Sequence, residues 1–263
     1  NFSAGANIAM MLMLAIEQEY DELDMAIRYF QNTIMRVRYS GIPVAVAPHG
    51  LTLGGGCEMT MHSDVAVAAA ETYIGLVEVG AGLIPAGGGT KELALRASDK
   101  YFKGDIEIPT LQEMSLNIAM AKVATSAREA FDLGILRKGI DIEVMNSNRV
   151  IAEAKNAVLE LANNGYTPPQ QRSDIKVLGR SALGSFYTGI ASMRMGNYIS
   201  AHDEMIAKKV CYVICGGDLS APTEVNEQYL LDLEREAFLS LLGEKKTLER
   251  MQFILKTGKP LRN

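Results

Sequence analysis

The sequence predicts an α/β layered fold in which short buried strands alternate with helices. Two segments, Pro43–Ala47 and Val65–Ala70, are apolar and rich in small or β-branched residues, and both are too short to be typical helices. Glu58–His62, which lies between these two segments, has helical character. Ile8–Tyr39, which precedes them, carries apolar residues at intervals of three and four. Strands that alternate with helices indicate a sheet covered by helices.

The N-terminal part begins with a loop of small residues over Asn1–Asn7. We predict one or two amphipathic helices over Ile8–Tyr39, which end at Ser40 and Gly41. The first strand runs into a turn at residues 48–50, and Thr72–Val79 is a candidate third strand. Strands and turns of this kind belong to the α/β part of the chain.

The strand signals become weak after Thr90, and Tyr101–Leu111 has the glycine, proline and mixed charge of a surface insertion. A long helix is predicted over Glu143–Asn163, and a proline-rich linker follows at Pro168–Gln171. The chain therefore divides into residues 1–168 and a C-terminal helical region, residues 169–263. Three helices are expected in that region: Leu178–Met195, Ile199–Cys215 and Thr223–Leu242.

Composition limits the possible partners. The net charge is −5, from 26 basic and 31 acidic residues, and no basic stripe is present, so nucleic acid is not expected to bind. The apolar stretch Ile8–Ile16 is too short to span a membrane, and no membrane association is expected. Three cysteines without disulfide spacing suit core packing in a reducing cytoplasm, and the three histidines show no metal-ligand spacing, so no metal is expected.

Two small-residue loops and two acidic residues are the candidates for chemistry. The loops are Phe2–Asn7 and Leu53–Glu58, and the second loop leads into a helix. Small side chains let a backbone N–H approach a ligand, and two such donors directed at one carbonyl oxygen form an oxyanion hole. Glycine clusters are more often simple turns, so the combination of both loops with Glu58 and Glu78 carries the interpretation.

The motifs resemble those of a known family. Phe2–Ala6 and Leu53–Glu58 are similar to the two oxyanion-hole signatures of the enoyl-CoA hydratase/isomerase (crotonase) family. Glu78–Thr90, which begins twenty residues after Glu58, resembles the family's segment around its second glutamate, and Ser126–Leu136 is a weaker match. The resemblance covers roughly the first half of the chain and keeps the family's order and spacing.

The resemblance implies a crotonase-like ββα spiral core and a set of site residues. Ala6 and Gly55 would supply the oxyanion-hole N–H groups, with Glu58 as the base and Glu78 as the acid in the hydration of trans-2-enoyl-CoA in fatty acid β-oxidation. Glu78 would have to hold a proton near neutral pH, which burial or repulsion from Glu58 would favour. Three further residues would contact substrate: Ala4, Asn7 and Ile8.

The chain also departs from simple hydratases. The family's opening strands are absent, Asn7 stands where many relatives carry Asp, and Ala9 stands where some carry Lys. Three features resemble the C-terminal hydratase portion of a bacterial 3-hydroxyacyl-CoA dehydrogenase fusion protein: the insertion Tyr101–Leu111, the helical region past Pro168 and the ending Glu227–Ala237. No cofactor is expected in this segment, because NAD would belong to an upstream dehydrogenase part. A homo-oligomer or a place in a larger multifunctional chain is expected.

Three other functions compete with hydration. A double-bond isomerase of the same family commonly lacks one glutamate, and a non-catalytic scaffold would not need Glu58 and Glu78. A dinucleotide-dependent oxidoreductase is disfavoured because Pro85 stands at the third glycine position of the loop that begins at Gly80. Met10, Met11 and Met13 are interpreted as core residues rather than as an acyl pocket, and Cys211 and Cys215 as core residues rather than metal ligands. Cys57 is not expected to be a nucleophile, because no partner base is evident in the sequence.

Overall fold

The structure is a computed structural model that describes all 263 residues. It contains α-helices, short strands and two 3-10 helices, Glu78–Ala81 and Ser147–Arg149. The helices are α1 Ile8–Glu17, α2 Tyr20–Arg38, α3 Gly55–His62, α4 Gly89–Ser98, α5 Glu107–Ala119, α6 Ala127–Asp132, α7 Val150–Asn163, α8 Arg180–Met195, α9 Ala201–Ile214, α10 Glu227–Leu242 and α11 Lys245–Thr257. The strands are β1 Ala45–Val46, β2 Gly50–Leu53, β3 Val65–Ala69, β4 Thr72–Gly75, β5 Val123–Ala124, β6 Ile142–Val144, β7 Ile175–Val177 and β8 Thr223–Val225.

The chain forms two compact units that are interleaved in sequence. Unit 1 comprises Asn1–Ala6, Phe30–Leu76 and Lys122–Gln171, and unit 2 comprises Asn7–Tyr29, Val77–Ala121 and Arg172–Asn263. The single boundary that the sequence predicted near residue 168 lies close to the start of the last segment of unit 2, but two earlier segments also belong to that unit. A functional division at residue 168 stays a prediction.

Unit 1 contains two small sheets. In the first, β3 lies between β1 and β6, and all pairs are parallel. In the second, β4 lies between β2, which is parallel to it, and β5, which is antiparallel. Every residue of β3 is buried, as expected for a parallel strand covered on both faces. Alternate residues Val65, Val67 and Ala69 form a core with Val150, Ala154 and Ala157 of α7.

Unit 2 is mainly helical and contains buried charges. Helix α4 packs against α5, α9 and α10, and strands β7 and β8 pair antiparallel. Lys91 is fully buried, and its Nζ lies 2.8 Å from a Glu227 carboxylate oxygen and 3.3 Å from one of Glu92. Glu234 accepts hydrogen bonds from the N–H groups of Gly88 and Lys91, so a carboxylate from α10 satisfies the start of α4.

Most predicted elements are confirmed. The Ile8–Tyr39 segment forms two helices, because Gln18 adopts a left-handed conformation between them, with φ 62°. The predicted strands at residues 43–47 and 65–70 are present as β1 and β3. The predicted helices at 178–195 and 199–215 are present as α8 and α9, and Ser200 and Asp203 form a capping box at the start of α9.

Four predictions were wrong in detail. The helix predicted from Glu143 starts only at Val150, because Ile142–Val144 pairs with β3 as a strand. The helix predicted from Thr223 starts at Glu227, because Thr223–Val225 pairs with β7 and Asn226 caps the helix. The predicted insertion at 101–111 is partly helical, since Pro109 lies within the first turn of α5, where proline is tolerated. The strand predicted at 72–79 ends at Gly75.

Candidate active site

The two predicted oxyanion-hole loops of unit 1 leave from neighbouring positions in parallel strands. Ser3 forms a parallel bridge with Thr52, and the N–H of Leu53 donates to the Ser3 carbonyl at 2.9 Å. Ala6 and Gly55 each lie three residues beyond this bridge. Parallel pairing therefore sends both loops out from the same end of the pair.

The N–H groups of Ala6 and Gly55 are not used by the backbone ladder. Neither donates a hydrogen bond to another group of the protein. Ala6 is exposed, and Gly55 is the first residue of α3, where an N–H has no acceptor within the helix. A ligand oxygen would supply the acceptor that these two donors lack. The positive end of α3 favours negative charge on that oxygen.

Each glycine of the Gly54–Gly56 run has its own structural reason. Gly54 has φ 56°, a conformation that side chains disfavour. A Cβ on Gly55 would lie 2.9 Å from Cζ of Phe30, and a Cβ on Gly56 would lie 2.4 Å from Cβ of Ser3. The run thus lets α3 begin directly beside the N-terminal loop, which the glycine count alone does not reveal.

Glu58 lies in the first turn of α3 and is buried, with 2% of its surface exposed. Its N–H donates to the Gly54 carbonyl, and its carbonyl oxygen lies 2.7 Å from Nδ1 of the buried His62. The backbone on both sides of Glu58 is therefore held firmly within unit 1. A firmly held backbone at this position suits a residue that must orient a reactant.

Glu78 belongs to unit 2 and begins the 3-10 helix Glu78–Ala81. This short helix is held by α11. The hydroxyl of Thr247 donates to the Gly82 carbonyl at 2.9 Å, and Nη1 of Arg250 donates to the Val79 carbonyl at 3.3 Å. Gly82 has φ 87°, and a Cβ there would lie 2.9 Å from Cα of Thr247, so the two segments approach closely.

Comparison with known proteins matches part of this chain to a family. Residues 1–103 match the model of the family described as enoyl-CoA hydratase/isomerase. This matched stretch contains both donor loops, Glu58 and Glu78. The resemblance to the enoyl-CoA hydratase/isomerase family that the motifs predicted is confirmed by this match.

Solved structures support the family's fold. The structure resembles a carnitinyl-CoA dehydratase from Mycobacterium thermoresistibile, with a TM-score of 0.62 at 16% identity over 97% of this chain and 73% of that one. It also resembles an enoyl-CoA hydratase from Rhodobacter sphaeroides 2.4.1, with a TM-score of 0.60 at 19% identity over 99% and 74% of the two chains. The predicted crotonase-like fold is confirmed.

Curated relatives are much longer than this chain. A Bacillus subtilis (strain 168) protein named "Probable 3-hydroxyacyl-CoA dehydrogenase" is 45% identical over all 263 residues, which span 33% of that relative. A fatty acid oxidation complex subunit alpha from Shewanella loihica is 26% identical over 195 residues, 66% of this chain and 27% of that protein. The chain thus spans about a third or less of the length of these relatives.

The other predicted substrate-binding residues divide between the units. Ala4 belongs to unit 1, whereas Asn7 and Ile8 belong to unit 2. The Asn7 side chain accepts a hydrogen bond from the N–H of Met10 at 3.1 Å and so caps α1. Asn7 therefore has a structural role that is separate from any contact with substrate.

Two expectations about core residues have different outcomes. Met10 and Met13 are about half exposed, at 46% and 52%, so their interpretation as core residues was wrong. Cys211 and Cys215 are buried, so the expectation that they pack in the core is confirmed. Cys57 is also buried, and its Sγ contacts the Met61 sulfur at 3.9 Å.

Sequence reasoning missed the residues that support the Glu78 segment. His202 is buried, and its Nε2 lies 2.9 Å from the Thr247 hydroxyl, which already donates its proton to Gly82. The ring nitrogen is therefore the donor in that contact. Burial, followed by the positive charge of Arg250, lowers the pKa of His202 to about 4, so the ring is neutral at pH 7. Nothing in the local pattern around these residues indicates this chain of hydrogen bonds.

No group of three or more His, Cys, Asp or Glu residues is arranged to hold a metal ion. None of the helices is long and apolar enough to cross a membrane.

Proposed function

We propose that this chain catalyses the hydration of trans-2-enoyl-CoA to 3-hydroxyacyl-CoA. The observation that carries the proposal is the pair of unused N–H groups at Ala6 and Gly55, three residues beyond one parallel bridge. Two such donors beside a helix start are the parts that an oxyanion hole needs. The family of residues 1–103 supplies the reaction class.

In the proposed reaction, water adds across the C2–C3 double bond. The water oxygen bonds to C3, the π electrons move toward C2, and the negative charge of the resulting enolate rests on the thioester oxygen. The N–H groups of Ala6 and Gly55 would donate to that oxygen. Removing one donor of an oxyanion hole typically costs about 3 to 4 kcal/mol of transition-state stabilisation.

The two glutamates would move the protons. Glu58 takes a proton from the attacking water, and Glu78 gives a proton to C2, so a hydrogen and a hydroxyl are added overall. Glu78 must be protonated before reaction and Glu58 afterwards, and proton exchange with water restores the starting state. The firm backbone anchoring of both residues supports roles that depend on position.

The remaining residues and partners follow the same proposal. Ala4, Asn7 and Ile8 would contact the acyl-CoA together with Ala6 and Gly55. The names of the longer relatives support a place for this chain in a multifunctional protein of fatty acid β-oxidation, with NAD confined to a separate dehydrogenase part. The cytoplasm is the proposed location, and a homo-oligomer is the alternative to a single larger chain.

The test uses the intact protein that contains this chain, with crotonyl-CoA as substrate. Loss of the enoyl absorbance measures hydration, and we expect Glu58→Gln and Glu78→Gln each to lower kcat by about 10²- to 10⁴-fold. Glu160→Gln, a change of the same type at an exposed position of α7, should leave kcat unchanged.

Other outcomes would replace the proposal. If the intact protein moves the double bond of a 3-enoyl-CoA but leaves crotonyl-CoA unhydrated, isomerisation is the reaction. If it does neither at any chain length, the segment is a scaffold. Full hydratase activity in the Glu78→Gln variant would remove Glu78 from the mechanism while leaving the donors in place.

A further inference from the structure

Unit 2 contains a cavity that the proposed reaction does not use. It has a volume of about 880 Å³ and is lined by α5, α8, α9, the turn between α8 and α9, and Arg262. Helices α8 and α9 pack against each other and are joined by the short turn at residues 196–200, so they run antiparallel. The volume lies within the range of roughly 300 to 1,000 Å³ that small-molecule sites occupy.

Most of the cavity wall is apolar. The residues that the three helices contribute come from one face of each helix. At the end far from the turn, Cys211 keeps its thiol proton, because burial raises its pKa to about 12. The main apolar lining residues are Leu116, Met120, Phe186, Ile190, Met193 and Ala207.

The end of the cavity near the turn carries an excess of positive charge. Asp203 lines this end, and one of its carboxylate oxygens lies 2.8 Å from Arg250 and 3.2 Å from Arg262. Burial alone would raise the pKa of Asp203, but the Ser200 N–H and the two arginines lower it, so it stays ionised. Two guanidinium groups thus share one carboxylate, and Arg194 also lines this end.

Arg262 is the lining cation best able to meet a ligand. Its side chain is 56% exposed, whereas that of Arg250 is fully buried. Arg194 lies 3.9 Å from Glu204, which Lys208 also contacts at 2.7 Å, so its charge is partly matched. A carboxylate beside Arg262 would balance the remaining charge, and a guanidinium binds a carboxylate in a two-point geometry.

We propose that this cavity binds a single-chain amphiphile with a carboxylate head, of the class of a medium-chain fatty acid. The head contacts Arg262 near the α8–α9 turn, and the alkyl chain lies along the apolar wall toward Phe186. The proposal rests on the cavity and its charges alone, and it holds whether or not the chain hydrates enoyl-CoA.

The experiment measures binding of dodecanoate to the intact protein by isothermal titration calorimetry, with dodecanol as a probe of the same length and no charge. We expect saturable binding of dodecanoate. Arg262→Gln should weaken dodecanoate at least 10-fold and dodecanol less than 3-fold. Ile190→Trp, which places a larger side chain inside the cavity, should abolish the binding of both probes.

Matched variants keep the result specific. Ile151→Trp and Arg128→Gln make the same changes at side chains that are 77% exposed, and both should bind dodecanoate like the unaltered protein. Circular dichroism and the unfolding midpoint show whether Ile190→Trp is folded. The proposal is overturned if dodecanoate does not bind, or if it binds folded Ile190→Trp as tightly as the unaltered protein. If Arg262→Gln weakens dodecanoate and dodecanol equally, the contact between Arg262 and a carboxylate head is overturned.

Discussion

The close contact between Gly56 and Ser3 gives the sharpest test of the oxyanion-hole geometry. In a Gly56→Ala variant, the new Cβ would lie 2.4 Å from Cβ and 2.8 Å from Oγ of Ser3. Ordinary van der Waals contact begins near 3.4 Å, so one of the two segments must move by about 1 Å. Gly56 is buried within α3, and Ser3 lies in the more accessible N-terminal loop, so Ser3 is the residue expected to move.

The size of the effect follows from what Ser3 holds. Its N–H donates to the Leu51 carbonyl and its carbonyl accepts from Leu53, each at 2.9 Å, and this pairing aligns the two donor loops. A displacement of about 1 Å in a catalytic group can cost on the order of 100-fold in rate. Overpacking of a buried site also costs about 1 to 3 kcal/mol of stability. We therefore expect kcat/KM for crotonyl-CoA to fall about 100-fold in a protein that remains folded.

The assay compares four variants under conditions where each is folded. Ser3→Gly with Gly56→Ala removes both close atoms, and the nearest remaining neighbour is Cδ1 of Phe2 at 3.5 Å, so activity should recover at least 10-fold over Gly56→Ala. Ser3→Gly alone measures the loss of the serine hydroxyl, which accepts from the Gly5 N–H. Gly41→Ala is the control, because a Cβ there meets nothing within 4 Å. Unchanged kcat/KM in folded Gly56→Ala would refute the reasoning.

Three further predictions concern unit 2. Lys91→Met leaves the buried carboxylates of Glu92 and Glu227 without their shared cation, and it should lower the unfolding free energy by about 3 to 5 kcal/mol in urea titrations. Adding Glu227→Gln should restore part of the lost stability. A decrease in unfolding free energy below about 1 kcal/mol would argue against the pairing. Because the pKa of His202 is lowered to about 4, the unfolded chain takes up a proton near pH 6.5 that the folded protein does not, so stability should fall by on the order of 1 to 2 kcal/mol between about pH 7 and pH 5. His202→Gln should flatten that slope, and an equal slope in both proteins would contradict the assignment. Thr247→Val removes the hydrogen bond to the Gly82 carbonyl and should lower the unfolding free energy by about 1 to 3 kcal/mol. It should also lower kcat more than it changes KM. A kcat equal to that of the unaltered protein would mean that Thr247 does not position Glu78.

Much of the secondary structure could be predicted because its signals are local. The helical period of Ile8–Tyr39 and the apolar run at Val65–Ala70 both specify their elements within a few residues. The errors arose where a distant partner decided the state. Ile142–Val144 is apolar enough to continue into the following helix, but pairing with β3 makes it a strand. Thr223–Val225 becomes a strand in the same way, through β7.

The sequence by itself determined the small-residue loops, the order of the two glutamates and the family to which they point, because such motifs are read within short stretches of chain. Only the tertiary structure decided that Ser3 pairs with Thr52, and that Thr247 binds the carbonyl of Gly82 from 165 residues away. The cavity of unit 2 also depends on faces of helices that are far apart in sequence. Local periodicity reflects which face of an element is buried, but it contains no record of which distant segment covers that face.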